Sequence, residues 1–225
     1  MSKKYKVIIA VFGAIGILWA VAGLTGIIQW YNMPTISNEP ALKVGDQFMA
    51  SNLKKPKRMD LVVFRGFSYD GNKETRVYRL CAIEGDIVEI KNGDLFVNGQ
   101  NVDKKLNLKH LYTVSKSFAD SLPEGLLKES DIAYMDNADS VMVSLENEWL
   151  KENFKIKLNR SSPNYSSQEI QTIYSAPWTE DNFGPLKIPA NKMFLMGDNR
   201  ENAYDSRYQG LADESDFMGT VIWKK

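Results

Sequence analysis

The chain has one cysteine, Cys81, and one histidine, His110. A lone cysteine excludes an intramolecular disulfide framework. One histidine and one cysteine leave no His/Cys zinc site, and no metal or cofactor is expected. Charge of neither sign is in excess: 28 Lys and Arg stand against 28 Asp and Glu. No basic field therefore argues for nucleic acid as a partner. Internal repeats and low-complexity tracts are absent. Aromatic residues are plentiful, with 5 Trp, 10 Tyr and 10 Phe among 225 residues. That is enough for an anchor and one domain with a sizeable core. Cys81 lies in apolar text and reads as a small buried hydrophobe rather than a reactive thiol.

One long stretch is free of charge, residues 7–30. As a helix it would be roughly 36 Å long, against a hydrocarbon core of about 30 Å. Lys3, Lys4 and Lys6 precede it, and Trp30 and Tyr31 follow at its far end. The positive-inside rule then keeps the N-terminus cytoplasmic and puts all that follows outside. The run is longer than the apolar core of a cleavable signal peptide, and no small-x-small site follows it. An uncleaved anchor over 1–31 is expected.

Beyond the anchor the text is that of short strands. Apolar or alternating segments fall at 60–64, 76–83, 87–91 and 94–97, with Gly85-Asp86, Asn92-Gly93 and Asn98-Gly99 between or after them. Asn-Gly between alternating segments marks tight hairpins. Residues 101–185 are more charged and only loosely periodic, with a polar turn cluster at 161–167. They read as an insertion of mixed α and β content. Strand text resumes at 192–196, turns at 197–200 and ends with 217–223. The expected fold is mainly β: an antiparallel domain in two halves, 32–100 and 186–225, around the 101–185 insertion.

Two stretches carry chemistry. In 33–46, Ser37 stands between Pro34 and Pro40, which restrict the backbone on either side. A hydroxyl on a stiff loop just past an anchor suggests nucleophilic chemistry, and a polar juxtamembrane linker is the other reading. The second stretch is Gly197-Asp198-Asn199-Arg200-Glu201-Asn202-Ala203-Tyr204-Asp205-Ser206-Arg207. It resembles the Gly-Asp-Asn-Arg-x-x-Ser-x-Asp-Ser-Arg signature of the type I signal peptidases. Residues 34–46 resemble that family's nucleophile box, 60–64 its Asp-(Ile/Val)-Val-Val-Phe strand, and 79–86 the box that bears its base. The hairpin with Asn98-Gly99 and Asn182-Phe183-Gly184-Pro185 match as well. The insertion carries no signature.

The resemblance implies a serine endopeptidase that removes signal peptides from exported proteins at the outer face of the bacterial cytoplasmic membrane. Its partners would be those signal peptides, membrane lipid and a second signal peptidase. It makes Ser37 the nucleophile and Thr35 the oxyanion hydroxyl. An alternative register would put Asn32 at the nucleophile position, but the spacing from Ser37 to Gly45 fits the family. Asp198, Asn199, Arg200, Ala203, Asp205, Ser206 and Arg207 would brace the site. In the family a neutral lysine takes the serine proton, and a serine holds that lysine. Here those positions are Tyr78 and Ala203. Three substitutes for the base remain. A Tyr78 phenolate is one, although burial raises a phenol's pKa, the wrong direction. Lys73, from the 71–74 loop, is another. His110 is the third and reads as a surface histidine. The second functional expectation is therefore a non-catalytic homologue that binds signal-peptide segments or partners an active peptidase.

Overall fold

The computed structural model describes residues 2–68, 70–134, 139–154, 158, 160–161 and 167–225. The charge-free run makes helix α1 (Lys3–Leu24), with no buried residue. At about 1.5 Å per residue it is about 33 Å long, long and apolar enough to cross a membrane. It stops at Leu24 rather than at Trp30. Thr25 Oγ1 donates back to Val21 O at 2.7 Å, and Gly26 takes a φ of +72°. The polar residues after it then pair as a strand. Trp30 thus lies on a sheet edge, where it meets Trp223 edge-on at 5.5 Å.

The strands that follow are β1 (Gln29–Asn32), β2 (Gln47–Ser51), β3 (Leu61–Phe67) and β4 (Lys73–Ile83). Next come β5 (Ile87–Lys91), β6 (Asp94–Val97) and β7 (Gln100–Asn101). Asn92-Gly93 and Asn98-Gly99 form their turns with positive φ throughout, as two-residue hairpins require. Then come β8 (Lys109–Ser115), α2 (Lys116–Asp120), β9 (Ile132–Tyr134), β10 (Ser140–Glu146), α3 (Asn147–Asn153) and α4 (Ser167–Tyr174). Of the turn expected at 161–167, residues 162–166 lie outside the described residues. The chain closes with β11 (Asn182–Lys187), β12 (Lys192–Met196), α5 (Ser206–Gln209), β13 (Ala212–Asp213) and β14 (Phe217–Lys224).

Described strands assemble into three sheets, ordered β1-β2-β14-β3-β4-β12-β13, β11-β5-β6-β7 and β8-β10-β9. All named strand pairs are antiparallel. The expected mainly β fold behind one apolar helix is therefore present. β8, β9 and β10 form a sheet of their own, padded by α2 and α3 around Val143 and Leu145. β11 instead joins the sheet of β5, β6 and β7.

Strand β4 lies in the large sheet between β3 and β12, and alternation sends its side chains to two cores. Val77 packs with Met33, Leu42, Phe48 and Val63. Tyr78 and Leu80 pack with Val62, Leu195 and Ala203. Cys81 is fully buried between the large sheet and the β5–β6 hairpin, and burial pushes its thiol up to about 12. It is the inert hydrophobe that its surroundings in the sequence suggest.

The turn after β12 is tied to the four-stranded sheet by Arg200 and Asp103. Arg200 Nη1 donates to Asp103 Oδ2 at 2.6 Å, and Asp103 also accepts the Leu95 amide at 2.8 Å. Both charges are buried. Removing one leaves the other unpaired in the interior, a loss of roughly 3–5 kcal/mol. Asp103→Ala is expected to lose about that much stability by urea denaturation of the detergent-solubilised chain. A loss under about 1 kcal/mol, the range of exposed pairs, would show that the pair is not the tie described here.

Candidate active site

Ser37 sits in a turn whose every flank is held. The turn itself closes with Glu39 N–H donating to Ile36 O at 3.0 Å, and Leu42 N–H to Asn38 O at 2.9 Å. Asn38 Nδ2 donates to Val77 O of β4 at 2.6 Å. Asn199 grips the other side: its amide donates to Ser37 O at 3.1 Å and its side chain to Ile36 O at 3.2 Å. The Ser37 hydroxyl is 2.9 Å from Thr35 Oγ1. A groove of about 470 Å³ opens beside it, lined by Thr35, Ser37, Phe48, Arg76, Tyr78 and Tyr204 among others.

Asn199 belongs to the turn between β12 and α5, and buried charges hold that turn. Asp198 receives Arg79 Nε at 2.7 Å from the residue after Tyr78. Asp205 caps α5, accepts Arg207 Nε and Nη2 at 2.9 Å, and accepts the Gly197 amide at 3.1 Å. Arg207 also donates to Arg200 O, and Ser206 Oγ accepts the Leu195 amide at 3.0 Å. Burial works against both guanidinium charges, but Asp205 outweighs it for Arg207, and Asp103 for Arg200. Both are held above the usual arginine range.

Gly197 lets these parts meet. A Cβ there would lie 2.4 Å from Ala203 Cβ and 2.5 Å from Ser37 O, with Tyr78 Cε1 at 3.4 Å. The serine turn, the turn after β12 and the ring of Tyr78 close on the space that a side chain would fill.

The Tyr78 phenol donates to Tyr204 O at 3.1 Å and accepts from Arg76 Nη1 at 3.1 Å. Burial pushes it up to about 12. The Asp205 charge adds to the rise, and Arg76 and the Ser37 hydroxyl only partly oppose it. Ala203 packs against this ring with only a methyl group to offer. Arg76 is held in turn by Glu74 at 2.7 Å.

The residues predicted from sequence are thus largely brought together. Ser37, Thr35, Tyr78 and the 198–207 turn share one corner, and Asn32 also lines the groove. The other two substitutes for a base are elsewhere. Lys73 Nζ is 3.3 Å from Asp216 and lies over the Phe67 ring, off the groove. His110, expected at the surface, is fully buried: its Nδ1 is 3.1 Å from Glu201 Oε1, under the turn at 200–202. Strand β8 lays it on that turn, which no local sequence pattern shows. Sequence reasoning also missed Arg76, although it lies two residues from Tyr78 in a strand and so shares its face.

A family model described as signal peptidase, peptidase S26, matches residues 4–224. Signal peptidase I P of Bacillus subtilis subsp. natto is 29% identical over 164 residues, covering 72% of this chain and 56% of the relative. The chain thus spans little more than half the length of that relative. Signal peptidase I of Aquifex aeolicus is 26% identical over 212 residues, covering 87% and 75% respectively. Signal peptidase I V of Bacillus subtilis strain 168 is 22% identical over 213 residues, covering 93% and 92%. A crystal structure of a signal peptidase I from Enterococcus faecalis V583 is 21% identical, covering 75% of this chain and 98% of that one, at a TM-score of 0.39.

Gly197→Ala tests the packing directly. The methyl group has backbone on one side and Ala203 on the other, so the Ser37 turn must move. Overpacking of this kind costs roughly 1–3 kcal/mol. The variant is expected to melt lower and to show faster amide exchange at Asn199. An unaltered melting temperature would mean that the close approach is not required.

Proposed function

We propose that this chain, which belongs to the signal peptidase S26 family, holds signal-peptide segments of exported proteins in the Ser37 groove without cleaving them at the rate of a lysine-assisted serine. The observation that carries this reading is Tyr78. Attack by a serine needs an unprotonated base within about 3 Å to take its proton. With the phenol at about 12, only about one molecule in 100,000 is a phenolate at pH 7. Lys73 and His110 are engaged elsewhere. The groove, the stiff turn and the braced corner remain, and these are what binding an extended peptide requires.

The setting fits the same reading. α1 serves as a single anchor in the cytoplasmic membrane, with Lys3, Lys4 and Lys6 on the cytoplasmic side and the β domain outside. Membrane lipid then surrounds the helix, and signal peptides reach the groove from the same bilayer. An active signal peptidase acting on the same segments is the natural partner.

A second reading is a serine endopeptidase in which Ser37 is the nucleophile. The Thr35 hydroxyl, 2.9 Å from the Ser37 hydroxyl, favours it, because the family resemblance puts an oxyanion donor at that position.

Cleavage of a small-x-small peptide by the detergent-solubilised chain separates the two. Equal background rates for the wild type and Ser37→Ala are expected. A wild-type rate well above Ser37→Ala would overturn the binding reading. Were a Tyr78 phenolate the base, that rate would climb about tenfold per pH unit toward pH 12.

Tyr78→Lys combined with Ala203→Ser gives the complementary test. Burial and the neighbouring Arg76 cation both press a lysine's pKa downward. Cleavage at least about a hundredfold over background is expected, the lower range of general-base catalysis. Failure of a folded double variant to cleave would mean that more than the base is missing.

A further inference from the structure

Glu39 follows Ser37 by two residues, and its carboxylate is buried under the inserted sheet. Lys109 Nζ, at the start of β8, donates to Glu39 Oε2 at 2.8 Å. Lys128 Nζ donates to Glu39 Oε1 at 2.9 Å. Lys109 also meets Asp131 Oδ1, and the second oxygen of Asp131 accepts the Lys128 amide at 3.1 Å. Two carboxylates and two amines thus close a neutral ring. Its members come from the serine turn on one side and from residues 109–131 on the other. Burial pushes the Glu39 carboxyl up, but the two lysines outweigh it and hold it below the usual glutamate range.

We propose that Glu39 is a positioning residue for the Ser37 turn, and that the inserted sheet acts on the turn through Lys109 and Lys128. This rests on the Ser37 groove being the working site. The backbone makes the coupling direct. Glu39 N–H closes the turn on Ile36 O, so Ser37 lies inside the loop that the Glu39 side chain anchors. Lys109 is also tied by its own amide to Asp198 O at 3.0 Å, beside Asn199, which holds Ser37 O. One lysine therefore reaches both turns that meet at Ser37.

Stability alone does not account for the ring. A buried ion pair adds little over an apolar set of the same volume. What it supplies here is direction, because each oxygen of Glu39 has its own amine to meet. Displacement of the inserted sheet would carry that carboxylate, and the serine turn, with it. The insertion, which bears no family signature, thereby gains a part in setting the site.

Hydrogen exchange of the full chain in detergent, followed by mass spectrometry, reads this without any substrate. Glu39→Gln, Lys109→Met and Lys128→Met are expected to speed exchange of the Glu39 and Leu42 amides at least about tenfold, with β3 and β4 unaltered. Lys128 is half exposed, so its replacement leaves the core packed, and Lys128→Arg is expected to retain protection. Unchanged turn amides would overturn the proposal. So would acceleration spread evenly over the three sheets, or loss of protection in Lys128→Arg equal to that in Lys128→Met. A wild-type groove that binds no signal-peptide segment overturns the functional reading and not this one.

Discussion

Three arginine–aspartate pairs, two of them buried, hold the turn that follows β12, and that turn grips the Ser37 turn through Asn199. Arg79 with Asp198 ties it to β4 beside Tyr78. Arg200 with Asp103 ties it to the β5–β6–β7 sheet. Arg207 with Asp205 closes it on itself and leaves Asp205 able to catch the Gly197 amide. Planar guanidinium forks on carboxylates fix direction as well as distance. With those directions set, Asn199 meets the serine turn in one orientation, and the empty side of Gly197 faces Ser37.

The same corner shows how one environment sorts two side chains in opposite senses. Burial penalises whichever form of a group is charged. An amine buried there becomes neutral more readily and turns into a usable base near pH 7. A phenol buried there keeps its proton more firmly and loses what little basicity it had. The environment that would favour a neutral amine thus holds the Tyr78 phenol protonated. Ala203 adds only a methyl group to the same apolar cluster, and so offers no hydroxyl to a neighbour.

Much of the fold was legible in the sequence because its signals are local. Alternation placed β5 and β6, two Asn-Gly pairs placed their turns, and the charge-free run placed α1. The end of α1 was not legible, because Gln29–Asn32 chose strand pairing with Gln47–Ser51 over continued helix, a decision made by distant residues. For the site, the motif residues were found and their convergence was anticipated through family resemblance. His110 was misplaced at the surface, since only the packing of β8 on Glu201 buries it. Lys109 and Glu39 lie seventy residues apart in sequence, and nothing in either neighbourhood announces the other.

The position of β14 has a consequence for how the domain is made. This last strand lies between β2 and β3 in the seven-stranded sheet. Until residues 217–224 have emerged, β1–β2 and β3–β4 are separate ribbons with a missing rung between them. Contacts this distant in sequence form late, because the loop must be closed before they repay its entropy. The wall of the groove formed by β2 and the wall formed by β4 therefore come into register only once β14 has joined them. Without β14 in place, the chain has no finished groove beside Ser37.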